Sequence, residues 1–173
     1  ELWSTWNLNK QTLDPILNTI IKDYPYFSLH DHTHSESVLL NIERVLGSDN
    51  INKLSPTDLW LLLHVSYLHD FGMVILDKKI YDIWKSSEFQ KFIKEQSEGT
   101  DKEIRASAKL IMDLDKDSDA YDSTWPLNVK KAVTILLSSY CRNKHADFSR
   151  EYILDEENEW NVDLGHNGLI KNR

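Results

Sequence analysis

One stretch of the chain, residues 59–68, is apolar at nearly every position and limits the possible folds more than any other feature. It follows Ser55 and Pro56, which favour a helix start because serine is a good N-cap and proline fits the first helical position. A helix that is apolar all round is normally buried, and this stretch is too short to cross a membrane. The sequence therefore predicts a central, fully buried helix that runs to about Phe71 and ends at Gly72.

Two earlier segments also carry helix signals. Asp14 and Pro15 predict a short helix that begins at Pro15. Thr33 and Glu36 fit a capping box, which predicts a second helix with Thr33 as its N-cap and Gly47 at its end. The apolar positions of this second helix are Val38, Leu39, Ile42, Val45 and Leu46. Their spacing predicts one buried stripe.

The remainder of the chain continues the helical pattern. We predict two short helices within 77–99, one helix over 101–115, a long helix over 126–140 and a further short helix over 146–154. Five glycines and four prolines among 173 residues are too few for a turn-rich sandwich. We therefore predict an all-α fold, a compact bundle of about six to seven helices. We expect a single domain over 1–173 that belongs to a longer chain and has other domains of the same polypeptide as partners.

The charge and cysteine content restrict the partners and the compartment. A net charge of -8 argues against broad binding to nucleic acid or to an anionic membrane. The lone cysteine, Cys141, rules out an internal disulfide and favours a reducing, cytoplasmic setting. We expect no membrane partner and no nucleic-acid partner, since no basic face is visible.

Three histidines and one aspartate are the candidate metal-binding and catalytic residues. His34 lies at the start of a predicted helix and is either a metal ligand or a half-buried structural histidine. His69 and Asp70 end the apolar helix, where a buried carboxylate must be paired, hydrogen-bonded or metal-bound, although Asp70 could also be exposed. His145 lies in a basic segment with Arg142 and Lys144, whose side chains either hold an anion or are simply solvated. Imidazole and carboxylate together suit divalent manganese, iron, nickel, cobalt or zinc.

The segments HTHSESVLLNIERVL, LLLHVSYLHDFGM and RNKHADFSREYI, in this order, resemble the HD superfamily of metal-dependent phosphohydrolases. More narrowly, they are similar to HD domains that are attached to ATPase or effector modules in bacterial proteins. The resemblance covers about residues 28–154 and implies an HD-type helical bundle. It also implies that His34, His69 and Asp70 hold a metal, with His145 similar to the extra ligand of two-metal members.

The resemblance leaves two ligands without a clear counterpart. The family's later aspartate has only weak stand-ins in Asp147 and Asp163. Two-metal members also tend to have a further histidine between the positions that match the His69-Asp70 pair (the HD pair) and His145. This sequence has no histidine between Met73 and Tyr140.

The chemistry that the resemblance implies is hydrolysis of a phosphoester or phosphoanhydride in a phosphorylated small molecule or nucleotide. In this interpretation Asp70 is both a metal ligand and the acceptor of the water proton. His30 or His145 orients the water or protonates the leaving oxygen, and Arg142 and Lys144 bind the phosphate. The alternative is a catalytically degenerate HD domain that serves as a regulatory or interaction module.

Overall fold

A computed structural model describes residues 1–24, 31–75, 77–112, 114, 120, 122–154 and 162, without the side chains of residues 23, 77 and 78. Within these ranges every regular element is helical and no strand is present. This confirms the prediction of an all-α fold. No helix in the described part of the chain combines the length and the apolar character that crossing a membrane requires.

Nine α-helices lie within the described residues. They are α1 Leu2–Leu17, α2 Ile20–Asp23, α3 His32–Leu46, α4 Ser48–Ile51, α5 Pro56–Leu68, α6 Asp77–Lys85, α7 Ser87–Gln96, α8 Lys102–Ile111 and α9 Leu127–Leu154. A short 3-10 turn over Phe71–Met73 follows α5. Because α2 and α4 have only four residues each, the number of longer helices agrees with the six to seven that the sequence predicts.

The chain divides into two units of internally packed helices. The first consists of Glu1–Lys22, Phe27–Val74 and His145–Arg173, and the second of Asp23–Tyr26 and Ile75–Lys144. The expectation of a single domain over 1–173 stays a prediction.

Each unit has its own aromatic core. In the first unit the Trp6 ring meets the Tyr67 ring edge-on at 4.9 Å between centroids, and both residues are buried. In the second unit the ring of Phe89 meets that of Tyr140 edge-on at 5.2 Å, and Phe92 packs against the same tyrosine at 5.3 Å. These aromatic residues therefore serve to pack the helices of each unit together.

The first helix is longer than the predicted one. It begins at Leu2 and contains Pro15 in its last turns instead of beginning there. Trp6, Leu13 and Leu17 are buried on one face of this helix, and their burial outweighs the one backbone hydrogen bond that a proline removes. Propensity signals at Asp14 and Pro15 were therefore overridden by tertiary packing.

Two further helix boundaries differ from the predicted ones. Asp31, not Thr33, caps α3, because its carboxylate accepts the backbone N–H groups of Thr33 and His34. The predicted helices over 126–140 and 146–154 form one helix, α9, since no glycine or proline interrupts the sequence between them. His145 therefore lies inside a long helix and not at the start of a short one.

The prediction that α5 is fully buried is wrong. Its Tyr67 and Leu68 are buried, but Leu61 is 40% exposed and Val65 is 59% exposed. The predicted buried stripe on α3 is also wrong, since Ser35 is the one buried residue of this helix and Val45 is 85% exposed. The apolar pattern of these two helices exceeds what the first unit covers with its described residues.

Candidate metal centre

The HD pair lies where α5 ends. His69 is the last residue with helical geometry, and its ring Nδ1 lies 2.9 Å from the carbonyl oxygen of Ser66. Because a carbonyl can only accept, this contact places the proton on Nδ1 and directs Nε2 away from the helix. That orientation of an imidazole is the one a metal ligand requires.

Asp70 is the buried centre of the cluster. Only 8% of the residue is exposed, and its carboxylate oxygen Oδ2 lies 3.1 Å from Nε2 of His69. The hydrogen bond to Asp70 raises the pKa of His69 above its usual 6.5, although burial acts in the opposite direction. Without a cation between them, this pair is stabilised by a proton on His69.

His34 approaches the same carboxylate oxygen from α3. Its Nε2 lies 3.4 Å from Oδ2 of Asp70, and its ring centroid lies 5.4 Å from that of His69. The capping carboxylate of Asp31 accepts the backbone N–H of His34 at 3.2 Å and thereby fixes the first turn that carries this histidine.

His145 reaches the other oxygen of the carboxylate from α9. Its Nε2 lies 3.9 Å from Oδ1 of Asp70, which is beyond a direct hydrogen bond. The side chains of His34, His69 and His145 are 34%, 33% and 36% exposed. Three partly accessible imidazoles thus surround one buried carboxylate, and the cluster is open to solvent on one side.

The turn after the HD pair packs directly on the backbone of α9. A Cβ atom at Gly72 would lie closer than 3.0 Å to the carbonyl oxygen of His145 and to the backbone nitrogen of Ser149. The Gly72 N–H donates to the Ser149 hydroxyl at 2.7 Å, and that hydroxyl donates to the His69 carbonyl at 3.1 Å. These contacts hold His145 beside the HD pair.

Gly72 and Ser149 are site residues that the sequence reasoning missed. Gly72 was interpreted only as the end of a helix, and Ser149 was one polar residue among many on a late helix. A glycine two positions after the His69-Asp70 pair is the one signal that could have indicated close backbone contact.

The other predicted site residues stay predictions. His30 lies outside the described residues, as does Asp163. Arg142 is exposed on α9, and Lys144 has its Nζ 3.9 Å from the Glu88 carboxylate. Both basic residues belong to the second unit, so their assignment to phosphate binding stays a prediction.

His64 is a structural histidine. It is 3% exposed, its Nδ1 lies 2.8 Å from the carbonyl oxygen of Trp60, and its Nε2 lies 2.9 Å from the amide nitrogen of Asn9. The carbonyl fixes the proton on Nδ1, so Nε2 accepts from the Asn9 amide and the ring is neutral. This histidine bonds within α5 through Nδ1 and links α5 to α1 through Nε2.

Within the described residues, His34, His69 and Asp70 form one group that could hold a metal ion, with one ligand atom from each inside 4.8 Å of the others. Two ligands of one ion at about 2.1 Å lie roughly 3.0 Å apart in octahedral and roughly 3.4 Å apart in tetrahedral coordination. The two histidine–carboxylate spacings of 3.1 and 3.4 Å match these values. Two imidazoles and a carboxylate also suit the divalent transition metals.

The helical fold and the His–Asp cluster define an HD-type domain. The chain belongs to the HD-CE domain family, whose model matches residues 24–170 and therefore most of the chain. That range contains all of His34, His69, Asp70 and His145. The searches of curated proteins and of solved structures gave no match.

Proposed function

We propose that this domain is a metal-dependent phosphohydrolase that cleaves a phosphoester or phosphoanhydride bond of a nucleotide-like substrate. The observation that carries the proposal is the buried Asp70 carboxylate with the Nε2 atoms of His34 and His69 at one of its oxygens. Structural metal sites are closed by protein ligands, whereas these imidazoles are each about one third exposed. An accessible, incompletely filled ligand set is typical of hydrolytic sites.

The residues of the cluster take distinct roles in this proposal. His34, His69 and Asp70 hold a divalent ion, which when bound supplies Lewis acidity toward a phosphoryl oxygen and lowers the pKa of water. Asp70 accepts the proton of the attacking water. His145, beside the second oxygen of Asp70, gives a proton to the leaving oxygen or orients the water. His30 is proposed for the same task, and Arg142 and Lys144 for binding the substrate phosphate.

A second candidate function is a degenerate HD domain that acts as a regulatory or interaction module for other domains of its polypeptide. It is favoured by the size of the cluster, since the described residues supply three grouped ligands and no late aspartate among them. Asp147 is exposed on α9 and is not part of the group.

Metal content and turnover separate the two candidates. We would load the chain with Mn²⁺ or Fe²⁺, remove the excess, and determine bound metal by elemental analysis. Retention of about one ion per chain is expected for the native protein and for His32→Gln, and loss is expected for His34→Gln and Asp70→Asn. His32 is a matched control because it lies two residues from His34 but bonds Asn18 at 2.9 Å instead of Asp70.

Hydrolysis is then measured with nucleoside triphosphates and with bis-p-nitrophenyl phosphate. Metal-dependent turnover that is lost in Asp70→Asn and kept in His32→Gln supports the phosphohydrolase. Stoichiometric metal without turnover of any of these compounds supports the degenerate module. A native chain that retains no metal after loading contradicts the metal site itself.

A further inference from the structure

Lys10 of α1 lies among acidic and aromatic side chains from three helices of the first unit. Its Nζ is 3.0 Å from Oδ2 of Asp14, one turn further along α1, and 3.3 Å from Oε1 of Glu36 on α3. The same nitrogen lies 5.2 Å from the centre of the Tyr67 ring on α5, which is within the range of a cation–π contact. One ammonium group therefore contacts α1, α3 and α5 together.

The partners of Lys10 lie close in sequence to the candidate metal ligands. Glu36 follows His34 by two residues in the first turns of α3, and Tyr67 precedes His69 by two residues at the end of α5. Tyr67 is fully buried and gives a fixed support, whereas the side chain of Glu36 is 51% exposed. The ammonium therefore joins the turn that carries His34 to the helix end that carries His69.

The lysine belongs to a helix that the family match does not include. The match begins at residue 24, after the end of α1. This helix is nevertheless anchored on α5, since the ring of Trp6 meets that of Tyr67 in the core. The buried amide of Asn9 also bonds His64. Because these contacts fix α1, the helix provides a firm base for Lys10.

Lys10 separates two carboxylates that would otherwise repel each other. Because Asp14 and Glu36 both bond the same nitrogen, their bonded oxygens are closer together than the Debye length of about 8 Å at physiological ionic strength. The second oxygen of Asp14, Oδ1, is buried and has no hydrogen-bond partner in the described part of the chain. Without the ammonium, α1 and α3 would face each other with like charges.

Lys10 differs from an ordinary surface lysine. Burial lowers its pKa, but the interactions with Tyr67 and Asp14 outweigh this effect and raise the pKa above its usual 10.5. The side chain is 31% exposed. By comparison, Lys91 pairs with Glu95 at 3.8 Å within α7, and these side chains are 78% and 59% exposed. Exposed pairs of the latter kind contribute little, whereas networks of several charges contribute more.

We propose that Lys10 is a positioning residue whose ammonium holds the first turns of α3 against α1 and α5, and so sets the 3.4 Å spacing between His34 and Asp70. When the ammonium is lost, Glu36 is repelled from Asp14 and the turn that carries His34 moves away. The consequence for metal binding rests on the proposed function, whereas the consequence for α3 does not.

Hydrogen exchange of the metal-free chain, measured by mass spectrometry in EDTA, tests the effect on α3. The amides of α3 should exchange about fivefold faster in Lys10→Met than in the native chain, because local opening of this helix becomes easier. Lys10→Arg keeps the charge and should exchange at the native rate. Lys91→Met is the matched control, since it also removes a lysine paired with an acid four residues further along its helix. It should leave the exchange of α3 unchanged.

Titration with Co²⁺, followed by visible absorption, tests the effect on the metal site. Lys10→Met should weaken Co²⁺ binding about fivefold, which is less than the loss of a group bonded directly to a ligand causes. Adding Glu36→Gln to Lys10→Met should restore part of the affinity, because it removes the repulsion from Asp14. A general loss of stability would not be reversed by a second substitution. High salt should also reduce the difference between native and Lys10→Met.

Three outcomes would overturn the proposal. These are native exchange of α3 in folded Lys10→Met, native Co²⁺ affinity in that variant, and no recovery of affinity when Glu36→Gln is added. If the native chain binds no Co²⁺, the proposed metal site is wrong, and the exchange of α3 still decides the role of Lys10.

A second variant keeps the test valid if Lys10→Met does not fold. Glu36→Lys changes a side chain that is 51% exposed and places a second positive charge beside Lys10. The resulting repulsion should accelerate exchange of α3 in the same way. Exchange at the native rate in this variant would contradict the proposal.

Discussion

Replacement of Gly72 by alanine tests how the side chains of the candidate metal site are held together. The added methyl group would lie closer than 3.0 Å to the His145 carbonyl oxygen and the Ser149 nitrogen. Both atoms belong to the backbone of α9, so neither can move away by a side-chain rotation. The helix must shift, and it carries His145 with it.

The magnitude of the effect follows from two contributions. Overpacking of a tight contact costs about 1–3 kcal/mol. The shift also lengthens the 2.7 Å hydrogen bond from Gly72 to the Ser149 hydroxyl, which contributes about 0.5–1.5 kcal/mol. We therefore expect Gly72→Ala to lower the free energy of unfolding by about 2–4 kcal/mol. The same contacts support the turn that follows His69 and Asp70, so their disruption should also weaken metal binding about 10- to 100-fold.

Gly47→Ala is the matched control. Gly47 has φ of 72° and ψ of 157°, a backbone region that is essentially restricted to glycine, but no atom lies near its added Cβ. Its replacement should lower the free energy of unfolding by about 1–3 kcal/mol and leave metal affinity unchanged. Urea unfolding and calorimetric titration with Mn²⁺ measure both quantities. Unfolding within about 0.5 kcal/mol of native for Gly72→Ala, together with native metal affinity, would refute the reasoning.

Three further substitutions test other contacts by urea unfolding. Ser149→Ala removes the hydroxyl between His69 and Gly72 and should cost about 1–3 kcal/mol; no loss would show that this bridge is dispensable. Asp31→Ala removes the α3 cap and should cost about 1 kcal/mol at neutral pH, whereas Asp31→Asn should cost little. A threonine hydroxyl holds the pKa of Asp31 below its usual 3.8. Ionised Asp31 therefore adds to the free energy of unfolding above pH 3.8, and this addition is lost as the pH falls through the lower pKa of the folded state. The difference in free energy of unfolding between native and Asp31→Ala should therefore shrink in acid. A difference that stays constant with pH would contradict this. Asn9→Ala removes an amide that donates to buried His64 and should lower the free energy of unfolding by about 1–3 kcal/mol. A smaller change would mean that another donor bonds Nε2 of His64.

The grouping of His34, His69 and Asp70 could be predicted because each of these residues lies where a local rule applies. The HD pair ends an apolar helix, and a carboxylate at that position needs a partner. His34 lies in the first turn of α3, where a side chain can face the neighbouring helix end. The prediction placed the cap two residues too late, but the same three side chains are grouped in the structure.

The contacts of Gly72 with α9 could not be predicted, because they join residues far apart in sequence. Gly72 and Ser149 are separated by 77 positions, and nothing in either local sequence specifies the other. The continuity of α9 was missed for a related reason. Basic residues such as Arg142 and Lys144 are typical of the last turn of a helix, although a helix continues through such residues when no breaker is present.

The error about α5 has a physical cause that bears on function. Periodicity shows which residues are apolar, but it does not show which of them the same chain will cover. Tyr67 and Leu68 are buried in the first unit, whereas Leu59 is 39% exposed and Val65 is 59% exposed. The same helix ends at His69 and Asp70, so its buried residues Tyr67 and Leu68 anchor the chain directly before the candidate metal site, and only the folded chain separates them from the exposed apolar residues.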